Sequence, residues 1–120
     1  MRKPLLIICL FFSLFSSAQN NLTQVEEFGA NKGNLKMYAY IPNNISNTTK
    51  TPLVFVLHGC TQSAEQISKE TGWNKLADSL NFIVVYPEQR QINNAPKCFN
   101  FFIGFKAKKD KGEVASIKQM

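Results

Sequence analysis

The sequence predicts an α/β fold with a pair of parallel strands at its centre, and two observations carry that reading. Residues 53–57 (LVFVL) and 82–86 (FIVVY) are uninterrupted apolar runs of strand length, as expected of strands buried on both faces. Between them Trp73, Leu76, Ala77 and Leu80 recur at helical spacing, the apolar stripe of a helix lying on a sheet. Strand, helix, strand with both strands buried is a βαβ unit, whose crossover is right-handed and whose strands run parallel.

The N-terminus is different in kind. Arg2 and Lys3 precede an apolar run over residues 5–15, and Ser16, Ser17 and Ala18 follow. This is the pattern of a secretory signal peptide cleaved after Ala18. The run of about eleven residues is short of the roughly twenty that span a bilayer, and Cys9 lacks the small residues that precede a lipoprotein cysteine. Residues 1–18 are therefore expected to be a signal peptide and residues 19–120 the folded domain. The product is expected to be secreted or periplasmic, with no membrane partner once the leader is gone.

Composition agrees with one small globular domain: 120 residues, 44% hydrophobic and 18% charged. Losing Arg2 and Lys3 with the leader lowers the basic count from 14 to 12 against 8 acidic residues, so the net charge falls from +6 to +4. Lys106, Lys108, Lys109, Lys111 and Lys118 crowd the end of the chain without the interleaved aromatics of a nucleic-acid surface. They read as a solvated loop, and no nucleic-acid partner is expected. Export leaves Cys60 and Cys98 in an oxidising compartment, where a single disulfide between them is the default inference. Asn21, Asn44 and Asn47 head glycan acceptor tripeptides in a eukaryotic secretory path and mean nothing in a bacterium.

Along the mature chain, residues 23–28 and 35–41 read as a hairpin around "NKGN". In the second strand Leu35, Met37, Ala39 and Ile41 fall on one face and Lys36, Tyr38 and Tyr40 on the other. A loop rich in Asn, Ser and Thr leads to the strand at 53–57. Ser63 followed by Gln66 has capping-box spacing and predicts a helix start. A second helix is predicted from Thr71 to Leu80, stopped by Asn81. The next strand is closed by Pro87, residues 88–96 form a loop, "CFNFF" at 98–102 brings aromatics back to the body, and Gly112 and Glu113 open a helix through Val114 and Ile117.

The strand at 53–57 ends on His58, Gly59 and Cys60, and His58 is the only histidine. Reactive groups sit beyond the carboxyl ends of strands in parallel sheets. The blocks "PLVFVLHGCTQSAE", "TGWNKLAD", "FIVVYPEQ", "CFNFF" and "GEVASI" together resemble the secreted poly(3-hydroxybutyrate) depolymerases and feruloyl esterases of the α/β-hydrolase superfamily. The resemblance covers residues 52–117 in the family's order. It implies the N-terminal part of an α/β-hydrolase sheet, a hairpin followed by a βαβ unit. It also implies a serine carboxylic-ester hydrolase acting on an ester substrate, polymeric or small, with no cofactor. In that superfamily the strand ending in His-Gly supplies one N–H of the oxyanion hole. Carried onto this chain, the donor is the main-chain N–H of Cys60, with Gly59 permitting the turn. His58 precedes any nucleophile, against the Ser, Asp, His order of the superfamily, and reads as a group bracing the loop rather than a general base. Trp73 reads as core rather than substrate contact.

The sequence contains no G-x-S-x-G and no second histidine. Its only aspartates, Asp78 and Asp110, lie upstream of where the acid belongs. The resemblance places the nucleophile elbow about twenty residues beyond Met120, so these residues alone are expected to be catalytically inactive. Rival chemistries are weaker. Zinc held by His58, Cys60 and Cys98 would lack a fourth ligand and the usual spacing. A thiol oxidoreductase would need C-x-x-C, and a Cys60 nucleophile would need an independent histidine. The alternative of another class is a non-catalytic secreted α/β module that binds a polymer or a partner.

Overall fold

The computed structural model describes residues 22–45, 50–104 and 107–120. Residues 1–18, expected to be a leader and containing Cys9, lie outside them, as do Asn21, Ser46 and the tripeptide headed by Asn47. Four strands, β1 (Thr23–Val25), β2 (Lys36–Tyr40), β3 (Leu53–Phe55) and β4 (Ile83–Glu88), form one mixed sheet in the order β1-β2-β4-β3. The helices are α1 (Ala64–Glu70), α2 (Trp73–Leu80) and α3 (Gly112–Gln119). β1 pairs antiparallel with β2, β2 antiparallel with β4, and β3 parallel with β4. The hairpin pairing and the βαβ unit are thus as the sequence predicts, although β1 stops three residues early and β4 starts at Ile83.

Register explains which side chains meet. Tyr38 lies opposite Tyr86, Tyr40 opposite Val84, and Val54 beside Val84. On this face Val84 and Tyr86 join Val56, Phe82, Ala64 and Ala77 in the main core, with Tyr38, Tyr40, Val54, Ile67 and Trp73 partly buried against it. Met37, Ala39 and Val85 are buried on the opposite face.

Two expectations about burial fail. β3 is not buried on both faces: Val54 and Val56 turn toward α1 and α2, while Leu53, Phe55 and Leu57 are exposed. β3 lies at the end of the sheet, so alternation decides which residues are covered. Helix α2 does not bury its predicted stripe either. It packs through Trp73, Asn74 and Ala77, leaving Leu76 43% and Leu80 64% exposed. The buried Tyr86 hydroxyl takes Asn74 Oδ1 as acceptor at 2.7 Å, which turns Asn74 inward and the two leucines out. Ile41 is likewise exposed, because β2 ends at Tyr40.

The capping signals fare better. The Ser63 side chain accepts the Gln66 N–H at 3.1 Å, but the Gln66 amide donates to Glu70 instead of closing a reciprocal box. Glu88 Oε2 accepts the Ala64 N–H, a second cap on α1 from β4. Asn81 ends α2 at φ 55°, the left-handed conformation that Asn tolerates at such a position. The segment between β1 and β2 is more than a turn, since it seats α3. Ser116 Oγ accepts the Gly33 N–H and donates to Asn31 Oδ1, both at 2.7 Å. A side chain at Gly33 would lie 2.6 Å from the Glu113 backbone, so only glycine fits. α3 accordingly buries Ala115 and Ser116, while Val114 and Ile117 are only half-buried.

Candidate functional site

Pro87 sets up the loop after β3. Val85 accepts the Val56 N–H at 2.9 Å, so residues 85, 87 and 89 of the β4 segment turn their main-chain groups toward β3. β4 does not stop before Pro87, as the sequence suggests, but runs through it to Glu88. A proline has no N–H with which to continue the ladder, and the chain beyond Val56 leaves the sheet. The next donor on that side, the Gln89 N–H, goes to the His58 ring at Nε2, 3.0 Å away.

That contact fixes the histidine. A main-chain N–H can only donate, so Nε2 carries no proton and Nδ1 does. Nδ1 donates to the Gly59 carbonyl at 2.7 Å. His58 is 4% exposed and its ring lies 5.0 Å from that of Phe99, leaving both nitrogens engaged and the faces packed.

The Gly59 carbonyl and the Cys60 N–H belong to one trans peptide and point in opposite directions. Holding the carbonyl toward buried His58 therefore turns the Cys60 N–H outward. Among the described residues that N–H has no hydrogen-bond partner, whereas the neighbouring Gly59 N–H is taken by Gln62 Oε1 at 2.7 Å. Gly59 does not adopt a positive φ. A Cβ there would lie 2.9 Å from Gln62 Oε1, so a larger residue would displace the side chain that holds the Gly59 N–H. An N–H held outward, polarised by the hydrogen bond on its own carbonyl, can donate to an oxygen that gains negative charge.

The far side of the loop is tied by a disulfide. Cys60 and Cys98 are bonded, with Cα atoms 4.2 Å apart, and the Thr61 N–H donates to Pro96 O at 2.6 Å beside them. Thr61 has φ 65°, a left-handed conformation that a β-branched residue rarely adopts. The cross-link and the backbone bond hold it there.

Other candidates lie elsewhere. Asp78 accepts the Tyr40 hydroxyl at 2.8 Å, and Asp110 pairs with Lys118 at 2.8 Å. The Lys118 hydrogen bond holds the Asp110 carboxyl below the usual range. Neither aspartate bonds to the 58–62 loop among the described residues. His58, Cys60 and Cys98 make no metal set, because the sulfurs bond each other and both ring nitrogens are occupied. Trp73 packs on the core cluster, as expected. In the "CFNFF" segment Phe99 is buried, but Phe101 and Phe102 are exposed.

Sequence reasoning missed a polar cluster behind the loop. Glu113 accepts from the Gln89 amide on Oε1, from the Asn100 side chain on Oε1 at 2.6 Å, and from the Asn100 N–H on Oε2 at 2.7 Å. Gln89 Oε1 in turn accepts from Asn93 at 2.7 Å and from the Arg90 N–H at 3.0 Å. The one signal available was Gln89, a polar residue directly after an apolar strand.

Known proteins agree with this architecture. The profile of the family described as Esterase PHB depolymerase matches residues 35–120. The chain is 42% identical over its whole length to poly(3-hydroxyalkanoate) depolymerase C of Paucimonas lemoignei, covering 28% of that protein. It is 34% identical to feruloyl esterase B of Talaromyces stipitatus over 79% of the chain and 25% of the relative. Among solved structures, the acetyl xylan esterase from Aspergillus awamori superposes with a TM-score of 0.51 at 35% identity, over 55% of this chain and 23% of that one. The chain thus spans about a quarter of the length of the curated relatives it matches. Its mixed sheet and crossover helices are those of part of an α/β-hydrolase, and the chain belongs to the esterase PHB depolymerase family.

Proposed function

We propose that this chain is the oxyanion-loop portion of a secreted serine carboxylic-ester hydrolase, with the Cys60 N–H as one of the donors that receive the developing oxyanion. The observation that carries the reading is the Gly59–Cys60 peptide, anchored by His58 through its carbonyl and left with an outward N–H. Preorganised donors of this kind are worth about 3 to 4 kcal/mol each in acyl transfer. His58 acts as the brace of that peptide and not as a base, because both of its nitrogens are spent. The ester is of the class named for the relatives: a hydroxyalkanoate polymer, or a feruloyl or acetyl ester of a polysaccharide. Residues 1–18 act as the export signal, and the domain works outside the cytoplasm or in the periplasm, without nucleic acid as a partner.

With no G-x-S-x-G and a single histidine already committed, the 120 residues hydrolyse no ester by themselves. Two measurements test the reading. The purified chain is expected to turn over p-nitrophenyl butyrate no faster than a heat-treated control, and turnover above it would mean the machinery is misassigned. The coding DNA past codon 120, read in all three frames, is expected to encode G-x-S-x-G within about 40 codons, followed by an Asp and a His. Its absence from every frame would replace the hydrolase reading with a non-catalytic binding module.

A further inference from the structure

We infer that Glu113 is a positioning residue for the Cys60 N–H, acting through Gln89 and His58; this rests on the oxyanion reading of Cys60. The path consists of contacts already described. The Glu113 carboxylate holds the Gln89 side-chain amide, the Gln89 N–H holds His58 at Nε2, and His58 at Nδ1 holds the Gly59 carbonyl that shares a peptide with the Cys60 N–H. A second arm reaches the same residue from the other side. Glu113 binds Asn100 by both its main-chain and side-chain N–H groups. Gln89 and Asn94 both donate to the Cys98 carbonyl, at 3.4 and 3.1 Å, and Cys98 is bonded to Cys60.

Glu113 suits this place for a physical reason. It lies in the first turn of α3, where the helix dipole favours a negative charge. It accepts three hydrogen bonds from uncharged donors and has no cation partner among the described residues. Only an acceptor with two oxygens can serve all three donors. A glutamine would put an NH₂ group against one of them. Seating α3 on Gly33 therefore fixes the carboxylate, and the carboxylate fixes the orientation of Gln89, whose main-chain N–H selects the His58 tautomer.

The experiment uses the full chain with ¹⁵N-labelled histidine and amide hydrogen exchange. The unmodified protein is expected to show His58 with a protonated Nδ1 and a bare Nε2, and a ring protonated at Nε2 would overturn the inference. Glu113→Gln and Gln89→Met are each expected to speed exchange of the main-chain N–H of residue 89 at least fivefold and to mix the ring tautomers, with Val84 in mid-strand unchanged. Because both act on one path, the double variant is expected to do no more than either alone. No change at residue 89, equal loosening at Val84, or multiplying effects would each overturn the path. Should Glu113→Gln fail to fold, Gln89→Met, which removes only a side-chain amide, gives the same reading. Since these signals report ring and amide geometry and not hydrolysis, their failure leaves the oxyanion role of Cys60 standing, and failure of the esterase reading leaves the path standing.

Discussion

Trp73 meets Phe82 edge to face, with ring centroids 6.4 Å apart and planes at 71°. The contact joins the first turn of α2 to the residue that leads into β4, at the margin of the main core. Aromatic pairs in this geometry add to simple burial, so Trp73→Ala is expected to cost about 3 kcal/mol. Leu80→Ala, on the outward side of the same helix, is expected to cost less than about 0.5 kcal/mol. Urea denaturation of both variants checks the contrast, and equal losses would restore the stripe that hydrophobic periodicity suggests.

The Cys60–Cys98 bond closes a sequence separation of 38 residues. In the chain-entropy model a loop of that size stabilises by about 4 kcal/mol, as an upper value. Cys98→Ser is expected to lose about 2 to 4 kcal/mol in non-reducing denaturation. Dithiothreitol should reproduce that loss in the unmodified chain and change nothing in the variant. A variant as stable as the oxidised protein would show that the cross-link restrains little.

Much of the frame was readable because it rests on patterns that periodicity and capping record directly. The paired apolar runs gave adjacent parallel strands, Ser63 gave a helix start, Asn81 a helix stop, and the pair Cys60 and Cys98 a bond. The orientation of α2 was not readable, since a hydrophobic stripe takes no account of Asn74, which turns inward to receive the Tyr86 hydroxyl. Nor was the covered face of β3, because "LVFVL" reads the same whether one side is packed or both. The cluster of Gln89, Asn93, Asn100 and Glu113 leaves no periodic mark at all. Its members come from two loops and a helix start, and only the fold brings them together.

Tyr86 makes the protein sensitive to alkali. Burial, and next the charge of Tyr40, push its pKa up to about 12. Burial, and next the hydrogen bond to Asp78, push Tyr40 upward as well. A group whose folded pKa is raised contributes stability that is fully present below its unfolded value near 10 and is lost as the pH rises through the folded value. Thermal melts are therefore expected to fall steadily between about pH 10 and about pH 12. Tyr86→Phe, which costs about 1 kcal/mol at neutral pH through the lost hydrogen bond, should flatten most of that decline and leave the part due to Tyr40. An equally steep decline in the variant would move its origin elsewhere.

The β3 end of the sheet is the weak point of this chain in solution. Leu53, Phe55 and Leu57 lie on one side with relative exposures of 50%, 37% and 41%, and β3 is the terminal strand of the sheet. An apolar terminal strand with free main-chain groups is a template for pairing with another chain. The sequence alone suggests that residues 82–86 and the aromatic segment at 98–102 would carry the uncovered surface; Phe101 and Phe102 are indeed exposed, but Val84, Val85 and Tyr86 are buried, which moves the strand hazard to β3. The purified chain is therefore expected to self-associate with rising concentration. Phe55→Lys places a charge on the exposed side and is expected to cost less than about 1 kcal/mol, while raising the concentration at which light scattering appears severalfold. Val56→Lys, one residue away and facing the helices, buries an unpaired ammonium in the core and should unfold the domain. The two variants separate an edge effect from a general gain in charge, because both add one lysine. Scattering that is unchanged in Phe55→Lys, or a chain that stays monomeric at all concentrations, would show that β3 is not the surface responsible.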